Sequence, residues 1–184
     1  HLLSRRQRQM CIRDRSKQME YKGKAFKFGD NISTDHIAPG RLFHLRSDLN
    51  EFAKHVLEDA DETFASSMKK GDFVVAGNNF GLGSSREHAP QIIKIAGVSA
   101  VLAKSFARIF YRNAINIGLL LIECDTDKIN AGDELEVDIK KGVVKNITQN
   151  TEITFAPLPD VMIKLLHDGG LIEHLKKHGD FDLV

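Results

Sequence analysis

Apolar positions fall into short runs separated by polar, glycine-rich stretches, and their spacing changes character along the chain. Residues 20–28, EYKGKAFKF, alternate weakly and predict a first strand. From Gly29 to Gly40 the chain carries Asp30, Asn31, Asp35 and Pro39, which predicts a loop. In DLNEFAKHVL, Leu49, Phe52, Ala53, Val56 and Leu57 recur at helical spacing behind Asp48, a plausible cap, so a helix is expected over 48–57. Residues 60–70 read as a polar connection. Three apolar runs, 72–76, 99–103 and 119–123, predict buried strands. A loop over 77–85 and helices over 86–96 and 106–117 separate them, with Gly97 and Gly118 as helix stops.

Strand, helix, strand, helix, strand in that order implies parallel strands joined by crossover helices. After residue 125 the pattern shortens. Strands are expected over 133–139, 142–147 and 151–155, turned at Lys141-Gly142 and Asn150, followed by helices over 160–166 and 170–177. The fold class is therefore α/β: a mainly parallel central sheet flanked by helices, with a smaller strand-rich C-terminal part, all in one domain over 19–184.

Composition changes this picture in one place. The chain has 184 residues, 42% of them hydrophobic and 28% charged, and its net charge is +1. Residues 1–18 hold six of the 26 basic residues and one of the 25 acidic ones, so the remainder, with 20 basic and 24 acidic, carries −4. A mildly acidic body argues against a nucleic-acid partner. No apolar run approaches the ~20 residues that span a bilayer, and a membrane partner is not expected. RRQRQMCIRDR resembles a translated adaptor sequence. Residues 1–18 are accordingly expected to be a non-native or disordered leader, with Met19 as the start; a targeting peptide or a basic arm are the alternatives. Outside that leader there is one cysteine, Cys124, at the end of an apolar strand. One thiol makes no disulfide framework, which fits a cytoplasmic chain. It also cannot hold an iron–sulfur cluster, which takes three or four thiolates, and no metal is expected on this chain.

The chemistry concentrates in Gly81-Leu82-Gly83-Ser84-Ser85-Arg86-Glu87-His88. Two glycines after a strand permit a sharp turn. The serines stand where a helix cap is expected, with Glu87 as a capping-box partner. Free amides at the helix start would favour an anion, and Arg86 adds a fork suited to a carboxylate. A serine hydroxyl acts as a base only where its alkoxide is stabilised, and amides with an arginine supply that. A plain capped helix and a nucleotide-phosphate loop are the alternatives. The latter lacks both a third fingerprint glycine and a P-loop lysine.

Residues 81–89 resemble the active-site signature of the swivelling domain in aconitases and isopropylmalate dehydratases. Three further segments match in order: Ser33-Thr34-Asp35-His36-Ile37, Lys104-Ser105-Phe106-Ala107-Arg108-Ile109, and Asn116-Ile117-Gly118-Leu119. The resemblance spans about residues 22–178. It implies the swivelling β/β/α fold and a hydro-lyase reaction with a small di- or tricarboxylate. Ser84 would be the base, Ser85 and Arg86 would bind substrate, and Asp35 would line the same site. A [4Fe–4S] cluster would be carried by a separate large subunit, because the cluster-binding part is absent here. The resemblance gives His36 and His88, beside these residues, no assured role. It marks 41–47 as a specificity loop, where Arg46 could pair with a third carboxylate. Isopropylmalate is the first expectation, with homoaconitate and 2,3-dimethylmalate as alternatives. A stand-alone dicarboxylate-binding module is the non-enzymatic one.

Overall fold

The computed structural model describes residues 20–179; the 1–18 leader and Met19 lie outside them. The strands are β1 (Glu20–Lys27), β2 (Phe73–Val75), β3 (Ala100–Ala103), β4 (Leu120–Glu123), β5 (Glu134–Asp138), β6 (Val143–Asn146) and β7 (Thr151–Thr154). They form one sheet in the order β4-β3-β2-β1-β5-β6-β7. β1 to β4 pair in parallel, whereas β5, β6 and β7 add antiparallel to the other edge of β1. The strand-rich C-terminal part is thus an antiparallel wing of the same sheet, with β1 as the shared strand.

Alternate residues of β2, β3 and β4 face two different cores. Val74, Val101, Ala103 and Leu121 meet Phe52, Phe64, Ile92, Ile93 and Phe110 from the helical layer. Phe73, Val75, Ala100, Leu102, Leu120 and Ile122 meet Leu135, Val137, Val144 and Ile153 of the wing. The sheet therefore curls until the wing covers its own second face, giving the order wing, parallel sheet, helices. Burial on both faces explains why these strands read as unbroken apolar runs.

The helices are α1 (Thr34–Ile37), α2 (Leu49–Ala53), α3 (Phe64–Ser67), α4 (His88–Ala96), α5 (Arg108–Asn116), α6 (Asp160–His167) and α7 (Leu171–His178), with a 3-10 segment over Gly40–Ser47. None is long and apolar enough to cross a membrane. Asp48 caps α2 through Glu51 N–H at 3.3 Å, and Gly97 ends α4 at φ +100°, as the sequence predicted. Three expectations need correction. The loop over 29–40 contains α1, because Ser33 and His36 exchange capping bonds. The 48–57 helix stops at Ala53; Leu57 turns to φ +58° and donates its N–H to Ile37 O at 3.0 Å, leaving the helical ladder to brace α1. Within 60–70, Phe64 is buried and nucleates α3.

Candidate active site

Three loops meet at the C-terminal end of β2. Gly81 N–H donates to Ile32 O at 2.7 Å and Thr34 N–H to Leu82 O at 2.9 Å, which ties the 77–86 loop to the residues before α1. Phe80 N–H donates to Ser105 O at 3.0 Å and Ala107 N–H to Phe80 O at 2.9 Å, which ties it to the 104–107 segment. Gly81 sits at φ +85°, and a Cβ there would lie 2.2 Å from Phe110 Cγ. Glycine is thus required at 81 both by the left-handed backbone and by the ring pressed against it.

Between these loops lies a cleft of about 230 Å³, lined by Thr34, Ser84, Ser85 and Arg86 on one side and Arg108, Ile109 and Asn113 on the other. Ser84 and Ser85 are exposed. Thr34 Oγ1 donates to Ser84 O at 3.0 Å and fixes the turn that presents them. Arg86 organises one wall. Its Nε donates to Ser84 Oγ at 3.2 Å, its Nη1 to Ala38 O at 3.1 Å, and its Nη2 pairs with Asp35 Oδ1 at 2.6 Å. A guanidinium on a serine oxygen favours the alkoxide over the neutral hydroxyl. Much of the fork is already engaged. A bound carboxylate must take its remaining N–H groups or displace Asp35, whose side chain is 64% exposed.

The serines do not cap α4. The helix begins at His88, its N-cap is Glu87, and no side chain caps it. Gly83 at φ +105° opens a turn that spends residues 84–87 outside the helix. Pro90, in the first helical turn, has no N–H to offer, and Ala89 N–H is bonded to Arg86 O at 3.2 Å. The local positive charge therefore comes from Arg86 more than from helix amides.

Ser84, Ser85 and Arg86 line the cleft and Asp35 joins them through its ion pair with Arg86, whereas Arg46 neither lines the cleft nor touches them. Its guanidinium carbon lies 4.4 Å from the centroid of the Phe43 ring and its Nη1 donates to Phe43 O at 3.2 Å. Arg86 stands 5.7 Å from the same ring. His36 is held structurally: its Nδ1 accepts from Ser33 N–H at 2.9 Å, and its own N–H donates to Ser33 Oγ at 3.2 Å. His88 packs between Phe43 and Phe52, with ring centroids 5.7 and 5.5 Å away. Burial, then the charges of Arg86 and Arg46, push its pKa down, so it packs as a neutral ring.

Sequence reasoning assigned no role to Thr34, Arg108 or Asn113. All three lie in or beside the matched motifs, and the signal for Arg108 was its place in the 104–109 segment. Cys124 is mostly buried and its thiol is pushed up to about 12, first by burial and then by Asp125. No cleft-lining residue is a cysteine. The described residues, with Cys124 as their one thiol, therefore do not fit an iron–sulfur cluster, which takes three or four thiolates.

Residues 16–127 match the family described as aconitase C-terminal domain. The chain is 63% identical over 165 residues to 3-isopropylmalate dehydratase small subunit 2 of Archaeoglobus fulgidus, covering 90% of this chain and 100% of that protein. It is 63% identical to small subunit 1 of Thermotoga maritima, covering 89% and 99%. The crystal structure of a 3-isopropylmalate dehydratase (LeuD) of Methanocaldococcus jannaschii superposes with a TM-score of 0.83 at 47% identity, covering 88% of this chain and 96% of that one. With the motif loops converging on one cleft and these similarities over nearly its whole length, the chain belongs to the aconitase family, in the branch of the 3-isopropylmalate dehydratase small subunits.

Proposed function

We propose that this chain is the small subunit of a cytoplasmic hydro-lyase that interconverts 2- and 3-isopropylmalate together with a cluster-bearing large subunit. The observation that carries the reading is the Arg86 Nε to Ser84 Oγ hydrogen bond at 3.2 Å inside an open cleft. Ser84, as alkoxide, removes the proton from the carbon next to a substrate carboxylate. The electron pair of that C–H bond becomes the C=C bond, and the hydroxyl on the neighbouring carbon departs toward the partner subunit. The reverse steps add water at the other carbon. Arg86 stabilises the oxyanion of Ser84, and Asp35 orients Arg86. Ser85 and the exposed Arg108 face the space a carboxylate would fill. A cluster held by the large subunit would supply a Lewis acid for the departing hydroxyl.

The choice of isopropylmalate over a tricarboxylate is supported by the 63% identity to 3-isopropylmalate dehydratase small subunits and by an apolar strip beside Arg108 on the far wall. Ala107, Ile109 and Phe110 line the cleft there, and they suit an isopropyl group. Arg46, the residue that would favour a third carboxylate, is engaged on Phe43. The test is reconstitution. The chain alone should leave isopropylmalate unchanged, and adding a large subunit of the family should produce the isomer, with homocitrate turned over far more slowly. Turnover by the chain alone, or preference for the tricarboxylate, would overturn the reading.

A further inference from the structure

We propose that Asp168, His174 and His178 form a site for a divalent transition-metal ion of the zinc type, at the corner between α6 and α7. Asp168 Oδ2 lies 2.6 Å from His174 Nδ1 and 3.1 Å from His178 Nε2. One ligand atom from each of the three residues lies within 4.8 Å of the others. His174 and His178 are four apart on α7 and so project from one face, with ring centroids 4.6 Å apart. Two imidazole nitrogens and a carboxylate oxygen are a donor set that suits zinc, with bonds of about 2.0–2.2 Å. Opening the present donor spacings to surround such an ion takes shifts of less than about 1 Å. An ion at Oδ2 and Nδ1 takes the place of the Asp168–His174 hydrogen bond, and the ring then carries its proton on Nε2. His178 is exposed, so water has access to a fourth position.

The donors are pre-arranged. His174 is 1% exposed, which locks its ring by packing. Asp168 is 12% exposed at its side chain and already turns Oδ2 toward both imidazoles. Lys177 Nζ lies 3.4 Å from Oδ1 and His167 Nδ1 3.8 Å from it, so both groups face the other carboxylate oxygen and leave Oδ2 to the two rings. The backbone of this corner has little freedom. A Cβ on Gly170 would lie 2.3 Å from Asn116 O, and Lys94 Nζ donates to both Ile117 O at 2.6 Å and Gly169 O at 3.4 Å. An ion here would staple α7 to the C-terminal end of α6. The sequence signal was a D-x5-H-x3-H spacing, to which the motif reading gave no weight.

Titration of the full chain with zinc chloride, followed by calorimetry, tests this, with cobalt absorbance as a readout of coordination. One zinc ion per chain and a tetrahedral cobalt spectrum are expected. His178→Ala should weaken zinc affinity by more than the ~10–100-fold typical of losing an outer partner, with circular dichroism unchanged because the residue is exposed. His44→Ala, at an exposed position far along the sequence, should leave affinity unaltered. Absence of zinc uptake by the native chain would overturn the proposal. So would uptake that persists undiminished in His178→Ala, since the ion would then lie elsewhere.

Discussion

Asp35 and Asp133 belong to opposite halves of the sheet, and their carboxylates are treated differently. Asp133, in the wing, is 5% exposed and accepts from Asn130 N–H at 2.8 Å, Asn146 Nδ2 at 2.8 Å and Gln149 Nε2 at 2.6 Å. It is committed to the turns around β5 and β6. Asp35, at the cleft, is largely exposed and pairs with Arg86 alone among the described residues. A carboxylate surrounded by three donors in the interior is a structural fixture. A largely exposed carboxylate with one partner, beside an open cleft, is far less committed to the fold. Asp133 is committed to the fold, whereas Asp35 stays exchangeable.

The largest expected effect falls on the cleft side. In the reconstituted complex, Ser84→Ala should lower kcat by ~10²–10⁴-fold, the usual cost of losing a general base, while thermal melting stays unchanged. Near-normal turnover would remove Ser84 as the base and dissolve the functional half of the contrast. On the wing side the pattern should invert. Asp133→Ala orphans three donors and should destabilise the chain by about 1–3 kcal/mol, with activity at room temperature preserved.

Acid titration sharpens the same point. Burial would raise the Asp133 pKa, but the bonds from Asn146, Asn130 and Gln149 outweigh it and lower it. Its stabilisation is therefore present above the unfolded carboxylate value of about 3.9 and is lost as pH falls through the lower folded value. Denaturation midpoints measured against pH should show that acid-side loss in the native chain and a smaller one in Asp133→Ala. The smallest effect belongs to Arg46. With its head on Phe43, an exposed cation–π contact of about 0.5–1 kcal/mol, Arg46→Val should change kcat/KM for isopropylmalate by no more than ~2–5-fold. A large gain for isopropylmalate with loss for a tricarboxylate would return Arg46 to the substrate.

What could be read from the sequence followed from local rules. Apolar runs located β2, β3 and β4, Asp48 and Gly97 marked a helix start and a helix end, and the Gly81–His88 segment located the cleft. What escaped was set by distant partners. Arg86 closes on Asp35 and Ala38, which are 51 and 48 positions away, so a guanidinium that looks free in the sequence is mostly engaged in the fold. The start of α4 was misplaced because Ser-Ser resembles a cap, whereas the turn at Gly83 and the docking of Thr34 on Ser84 hold those residues outside the helix. The wing's curl over the second face of the sheet leaves no local mark, because burial on both faces and burial in a hydrophobic helix layer look alike in an apolar run.

The shared strand has a consequence for synthesis. β1 leaves the ribosome ahead of β2, which can claim one of its edges early. Its other edge waits for β5, Glu134–Asp138, more than a hundred residues later. An open edge of that kind invites pairing with a neighbouring nascent chain. Lys22 and Lys24 stand exposed on β1 and guard it by repulsion. When β5 arrives, its partners in register are Glu136 opposite Lys22 and Glu134 opposite Lys24. The charges that discourage a stranger are thus the ones that select the right strand in the right alignment, and reversing their sign should set like charges opposite Glu136 and Glu134 and weaken the β1–β5 pairing.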